Sequence, residues 1–416
     1  MSKMTLSQEL TKRGFVNQTT YKDITQLDSD PITFYFGVDP SASSMTIGNL
    51  ASIMMVRAFI KHGHKAIILV GGATGLIGDP DGKKDERNLK TREEIDKNKA
   101  GIVAQYKSLL GDVEFEVVDN HDWFKDINYI DFLSTVGKHV PMRQMVNREF
   151  VQSRLSEEGS GISYAEFSYS LIQAYDFLHL NREKGVTLQL CGADQWGNSI
   201  AGVDLIRRIT GQTAHVWTIP LVVNKSTGVK FGKSEDGAIW IDPKQTSPYK
   251  MYQFWLNLDD EGVDEYLRIY TELDEEFIED VMRRFNEDRS IRLAQKTLAY
   301  EVTKFVHGEE VAESVKRVTK VLFGGESYDK LTSEDFETLK NELANIQAKD
   351  GDSLVDILVE GSLASSKGEA RRFLESKAVY INGVQVTDQT TLSASDAVAG
   401  NVVLRRGKNA QIVVTL

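Results

Sequence analysis

An α/β fold built on a parallel sheet, followed by helices and a small α+β end, is predicted by three features of the sequence. Apolar, β-favouring runs at 32–36, 65–70 and 186–190 each lead into glycine, with helical stretches between them. All seven prolines lie at or before Pro248, and residues 248–322 place Leu, Glu, Arg and Ala at helical spacing. Near the end, Asn382-Gly383 separates two alternating apolar runs, the signal of a tight hairpin.

At 416 residues the chain has room for two to three domains. With 41% hydrophobic and 26% charged residues it has an ordinary globular composition. Cys191 is the single cysteine, so no intrachain disulfide forms, which fits a reducing compartment. The start, Ser2-Lys3-Met4-Thr5-Leu6, reads neither as a signal peptide nor as a membrane span, so the expected location is cytoplasmic. Net charge is −12, yet residues 351–416 carry seven Lys/Arg against seven Asp/Glu. Any RNA contact must therefore come from local clusters of cations, not from bulk charge.

In chain order, residues 5–14 form an amphipathic helix and 32–36 a buried strand. Pro40 and the serine run make a turn. A helix over 47–62 follows, with Ile47, Leu50, Ile53, Met54 and Ala58 on one face. His62 and His64 at its end read either as metal ligands or as histidines near the negative helix terminus; the second is preferred. Residues 65–70 form the next strand and run into the glycine-dense Gly71–Asp79, which lets a ligand approach the backbone closely. Neither GxGxxG nor GK[ST] occurs there. Strand–helix–strand order implies parallel pairing, with ligands at the carboxyl ends of the strands.

Beyond it, 81–98 is a charged loop and helix. Its Lys83, Lys84 and Arg87 are solvated surface by default, with phosphate contact close behind. Residues 113–119 make a third strand and 129–158 look helical. On the helix after Gly161, Tyr169, Gln173 and Asp176 fall at i, i+4 and i+7, which suggests a polar binding wall. The strand at 186–190 leads to Cys191-Gly192-Ala193-Asp194-Gln195-Trp196, echoing the Gly37-Val38-Asp39 pattern. A helix at 199–210 carries Arg207 and Arg208 near its end. Residues 219–223 form the last core strand, which delivers Val229-Lys230-Phe231-Gly232-Lys233-Ser234. Alone, such a lysine stretch is usually a solvated loop. Paired with the strand–turn–helix of Tyr35–Leu50, it points to a nucleotide held at a helix N-terminus and clamped by lysines. Residues 323–352 read as a linker with one helix. Residues 353–360 and 365–374 read as helices, and 378–386, 402–404 and 411–416 as strands.

These residues resemble the bacterial tyrosyl-tRNA synthetases, class I aminoacyl-tRNA synthetases, over essentially the whole chain. The most specific pieces are Gly71–Asp79, Gly161–Leu178, Leu190–Asn198, Ser247–Trp255, and Lys230–Ser234 as a version of the Lys-Met-Ser-Lys-Ser loop. The resemblance implies a Rossmann-like catalytic domain over 1–247, a helical anticodon-side domain over 248–322, a linker over 323–352, and an S4-like RNA-binding domain over 353–416. It implies tyrosine-tRNA ligase activity: L-tyrosine and Mg-ATP give tyrosyl-adenylate, and the tyrosyl group then passes to the 3′ end of tRNA(Tyr). ATP enters as substrate with Mg2+ bound to it, and no protein metal site is expected.

Carried over by position, Tyr35 and Asp176 bind the substrate phenol, Asp79, Tyr169 and Gln173 its ammonium, and Gln195 sits by its carboxylate. Gly37, Asp39, Ser41, Gly48, Gly192, Asp194, Val222, Val223 and Lys233 line the nucleotide. Thr46, Asn49, Lys83, Arg87, Lys230, Lys233 and Ser234 serve activation at the phosphates. Arg207, Arg208, Lys367, Arg371, Arg372, Arg405, Arg406 and Lys408 contact RNA, and the Tyr164 region forms a homodimer interface. The chain departs from the family in its signature: Thr46-Ile47-Gly48-Asn49 stands where His-Ile-Gly-His is usual, and Phe36 where a small residue is usual. Losing one well-placed donor costs roughly 1–3 kcal/mol, or about 5- to 150-fold in rate. Two other readings remain open at this point. One is an impaired relative that senses tyrosine, its adenylate or RNA; the other is an RNA-binding protein whose front half is scaffold.

Overall fold

The computed structural model describes residues 4–80, 90–111, 113–156, 159–231, 237–323, 325–407 and 410–416. Lys83, Lys84, Arg87, Gly232, Lys233, Ser234 and Lys408 lie outside the described residues. The chain divides into two compact units, one of Met1–Thr246 with Leu258–Leu298, the other of Ser247–Asn257 with Ala299–Leu416.

In the first unit, β1 (Gln18–Thr19), β2 (Thr33–Val38), β3 (Lys65–Val70), β4 (Phe115–Asp119), β5 (Leu188–Gly192) and β6 (His215–Ile219) form one sheet. Its order is β1-β6-β5-β2-β3-β4. Every neighbour from β6 to β4 is parallel, and β1 lies antiparallel on the β6 edge. The central strands are unbroken apolar runs because helices cover both faces of such a sheet; Phe34, Ile68, Val70, Leu188 and Leu190 are all fully buried. From β2 the chain builds outward through β3 and β4, then returns to place β5 on the other flank of β2. That reversal opens a crevice at the carboxyl ends of β2 and β5, the usual ligand position in such sheets. The helix Ile47–Lys61 follows β2 and buries Ile47, Leu50, Ile53, Met54 and Ala58, the predicted face. The long helix Tyr164–Lys184 precedes β5. It starts on a capping box in which Glu166 Nα–H donates to Ser163 Oγ and Ser163 Nα–H to Glu166.

Two strand expectations need correction. The last core strand is 215–219, not 219–223. Pro220 has no N–H for a ladder, and the pairing partner of β5 is the less obvious His-Val-Trp-Thr-Ile run before it. The third strand starts at Phe115 and not at 113. The stretch 129–158 is helical in pieces, Tyr129–Thr135, Met142–Val146 and Glu149–Leu155, with Pro141 between the first two.

The second unit holds helices Glu309–Phe323, Ser333–Glu342, Leu354–Glu360 and Lys367–Glu375, and a second sheet. Strands β7 (Ala344–Gln347), β8 (Val379–Ile381), β9 (Val384–Gln385), β10 (Asn401–Arg406) and β11 (Ala410–Thr415) run in the order β7-β11-β10-β8-β9. Period-two alternation divides its core. Val402, Leu404, Ile412 and Val414 pack with Leu354, Leu358 and Ala370, while Val403 and Val413 pack with Val318, Phe336 and Leu339. The β8–β9 turn is Asn382-Gly383, both at positive φ (45° and 80°), as the sequence predicts.

Candidate active site

A cavity of about 420 Å³ opens at the carboxyl ends of β2 and β5. Its lining includes Tyr35, Gly37, Asp39 and Ser41 from β2 and its turn, and Thr46, Gly48 and Asn49 from the helix start. Asp79, Tyr169, Gln173, Asp176, Gly192, Asp194, Gln195, Val222 and Lys230 complete the predicted set found there. Val223 is not part of the lining; its carbonyl accepts from Tyr266 Oη instead.

One end of the cavity is built to pair a buried polar group. Asp176 is 2% exposed; its Oδ1 accepts from Trp123 Nε1 at 2.9 Å and its Oδ2 from Asn120 Nδ2 at 3.1 Å. Burial pushes its carboxyl up to about 8 despite those two donors. Tyr35, 1% exposed, has a buried hydroxyl with no hydrogen-bond partner among the described residues. Burial, and then the nearby Asp176 charge, hold that hydroxyl far above the ordinary tyrosine range. An unpaired buried hydroxyl beside a desolvated carboxyl is costly, and the pair suits a ligand that carries a hydroxyl.

The raised Asp176 value has a testable consequence. Between the ordinary 3.8 and about 8, the folded protein holds a proton that the unfolded chain has lost. This group therefore lowers stability as pH rises to about 8, and contributes no further change above it. The melting temperature of the ligand-free protein should fall more steeply between about pH 6 and pH 8 than that of Asp176→Ala. Equal slopes would contradict the raised value.

The middle of the cavity is a network of short bonds. Tyr169 Oη donates to Asp39 Oδ2 at 2.7 Å and Thr74 Oγ1 to Asp39 Oδ1 at 2.6 Å. Asn120 Nδ2 donates to Thr74 Oγ1 at 3.1 Å, linking this network to Asp176. Gln195 Nε2 donates to Asp79 Oδ2 at 2.5 Å and Asn198 Nδ2 to Gln195 Oε1 at 3.1 Å. Gln173 Oε1 is buried and has no hydrogen-bond partner among the described residues. Asp39, Asp79 and unpaired amide oxygens facing one space suit a cationic ammonium.

At the other end lies the start of the helix Ile47–Lys61, whose positive dipole end favours anions. The lysine stretch is pinned against it. Phe231 Nα–H donates to Val222 O at 3.0 Å, and beyond the loop Ile47 Nα–H donates to Ile239 O and Ile241 Nα–H to Met45 O. A Cβ on Gly48 would lie 2.5 Å from the Phe231 carbonyl oxygen, so only glycine lets the two backbones meet. Gly48→Ala should slow any reaction at this end by about 5- to 150-fold, the rate equivalent of roughly 1–3 kcal/mol of overpacking. Ligand affinity at the Asp176 end should not change, which calorimetry checks.

Comparison with known proteins agrees with this geometry. Residues 27–324 match the family described as tRNA synthetases class I (W and Y), and residues 335–414 the tyrosine–tRNA ligase SYY-like C-terminal domain. The chain is 43% identical to the tyrosine–tRNA ligase of Streptococcus mutans, over 99% of this chain and all of that one. The chain belongs to the class I tyrosyl-tRNA synthetases. The tyrosine–tRNA ligase of Lactococcus lactis is also 43% identical over 99% of the chain. A crystal structure of a C-terminally truncated mitochondrial tyrosyl-tRNA synthetase from Aspergillus nidulans superposes with a TM-score of 0.70 at 27% identity, covering 77% of this chain and 95% of that one.

In this synthetase the residues that sequence reading missed are Thr74, Asn120 and Trp123, which hold Asp39 and Asp176, and Gln189, which lines the cavity from β5 opposite Tyr35. The expected RNA contacts are spread over both units. Arg207 pairs with Asp204 and Arg208 donates to His139 O. Lys367 pairs with Asp356 at 2.6 Å; Arg405 stacks over Tyr380 at 3.9 Å and Arg406 over Phe373 at 5.0 Å. Arg371 and Arg372 are exposed on the helix Lys367–Glu375. His62 and His64 serve the fold: His62 Nε2 lies 2.8 Å from Glu9, and His64 Nδ1 accepts from Ile32 Nα–H.

Proposed function

We propose that the chain activates L-tyrosine with ATP to tyrosyl-adenylate and transfers the tyrosyl group to the 3′ end of tRNA(Tyr). The observation that carries this reading is the buried, unpaired Tyr35 hydroxyl beside Asp176 at one end of a cavity whose other end is a helix N-terminus with Lys230. The phenol fills the first end, pairing with Tyr35 and Asp176. Phenylalanine leaves both unpaired and is rejected for that reason. Asp79, Tyr169 and Gln173 hold the ammonium, and Gln195 lies by the carboxylate.

The tyrosine carboxylate attacks the α-phosphate in line and pyrophosphate leaves. The carboxylate is already anionic, so no general base is needed. The protein contributes position and cationic or N–H donors where negative charge grows. Lys230 is the described lysine at that end; Lys83, Arg87, Lys233 and Ser234 are proposed as its partners. Mg2+ is proposed to arrive on ATP and to neutralise phosphate charge. Among the described residues no group of three His, Cys, Asp or Glu side chains is placed to hold a metal ion.

Tyr129, Ile130, Met142 and Tyr164 expose apolar surface, and Tyr129 Oη lies 2.9 Å from Tyr164 Oη. We propose this face as the homodimer contact. No described helix is long and apolar enough to cross a membrane; a cytoplasmic location remains our proposal. The transfer step is tested by incubating the protein with labelled tyrosine, ATP and tRNA. Label should appear as an ester at the tRNA 3′ end. A protein that binds tyrosine and tRNA but forms no ester would instead be a sensor.

A further inference from the structure

The lysine stretch is delivered by a small hairpin whose base is clasped from one side by a single tyrosine. Val223 bridges Lys230, and Phe231 Nα–H donates to Val222 O at 3.0 Å. Asn224 closes the turn, its Oδ1 accepting from Ser226 Nα–H at 3.0 Å and Thr227 Nα–H at 3.2 Å. The helix Val263–Tyr270 packs against this hairpin within the same compact unit. Tyr266, 1% exposed, donates from its hydroxyl to Val223 O at 3.0 Å and accepts there from Lys225 Nα–H at 2.9 Å. The one hydroxyl proton and a lone pair thus span Asn224. The Phe231 ring lies 5.0 Å from that of Tyr266 and 6.1 Å from that of Tyr270, and Lys230, next to it, lines the cavity. Gly262, at φ 85°, precedes the helix; a Cβ there would lie 2.6 Å from Lys225 Cγ and 2.8 Å from Tyr266 Oη. Arg13 ties down the far end of the helix, its Nη1 donating to Arg268 O at 2.9 Å and Thr271 O at 2.7 Å.

We infer that Tyr266 is a positioning residue for tyrosine activation, its hydroxyl setting where the hairpin presents Lys230. The inference rests on the activation reaction proposed above and extends it to a residue on a helix behind the cavity wall. Packing against Phe231 would be served as well by phenylalanine. The hydroxyl is what the clasp requires, because both of its bonds go to backbone atoms two residues apart on the hairpin. A lysine side chain is long and flexible, so the place from which it starts decides how well its ammonium meets a growing negative charge. Tyr266 therefore acts on the rate of activation, through Lys230, and not on tyrosine binding at the opposite end of the cavity.

The test is a double-mutant cycle on the full chain with Tyr266→Phe and Lys230→Ala. It reads the single-turnover rate of tyrosyl-adenylate formation and, separately, tyrosine affinity by calorimetry. Tyr266→Phe keeps the ring on Phe231 and removes both hydrogen bonds. It should lower the rate by about 5- to 10-fold with tyrosine affinity unchanged. In the Lys230→Ala background the same change should cost less than about 2-fold, because no ammonium is left to place. Gly262→Ala presses a methyl group on Tyr266 Oη and Lys225, and should also slow the reaction without weakening tyrosine binding. Wild-type rates for both Tyr266→Phe and Gly262→Ala would overturn the inference, as would effects of Tyr266→Phe and Lys230→Ala that multiply. So would an equal fall in tyrosine affinity and rate, the mark of a tyrosine that holds the whole fold. A wild-type protein that forms no adenylate refutes the reaction itself, a different result from any of these.

Discussion

Asp176→Ala should abolish measurable tyrosine activation, a loss on the order of 100- to 1,000-fold or more. The variant removes the acceptor we propose for the substrate phenol and at the same time strips Trp123 Nε1 and Asn120 Nδ2 of their partner. Each buried donor left unpaired costs about 1–3 kcal/mol. Asn120 also holds Thr74, and Thr74 holds Asp39, so the disturbance spreads along the network towards the proposed ammonium site. Both tyrosine affinity and rate should therefore fall. Retained tyrosine binding in calorimetry would remove Asp176 from the substrate site.

Reversing charge at Arg371 and Arg372 together should leave adenylate formation intact and cut tRNA charging at subsaturating tRNA by about 10- to 100-fold. The salt dependence of tRNA binding should also flatten, since roughly two phosphate contacts are lost. These arginines are exposed, whereas Lys367, Arg405 and Arg406 already hold Asp356, Tyr380 and Phe373. Point changes are cleaner than deleting 353–416. β7 at Ala344–Gln347 pairs with β11, and Val403 and Val413 cover Val318 and Phe336, so that cut would unseat what precedes it. Charging at the wild-type rate would show that the cations on this helix do not meet RNA.

Much of the site was legible because it repeats a period. Tyr169, Gln173 and Asp176 share one helix face, and the glycines after β2, β3 and β5 mark strand ends at the crevice. Asn120 and Trp123 were not legible. They meet Asp176 from 56 and 53 residues away along the chain, and no local pattern announces a donor to a distant carboxylate. The β6 strand was placed too late because Val222 and Val223 look more strand-like than His215–Ile219. Propensity there lost to the pairing that β5 imposes. The short Ala344–Gln347 strand has almost no pattern of its own and exists through its parallel pairing with β11. At Thr46 and Asn49 the sequence showed the missing histidines, but the bond between the replacements appears only when the helix start is built.

ATP–pyrophosphate exchange driven by tyrosine, run beside the same assay with phenylalanine, tests the central claim most directly. Exchange should proceed with tyrosine and be near background with phenylalanine, because only the phenol satisfies Tyr35 and Asp176. No exchange with tyrosine, or equal exchange with both amino acids, would contradict the account.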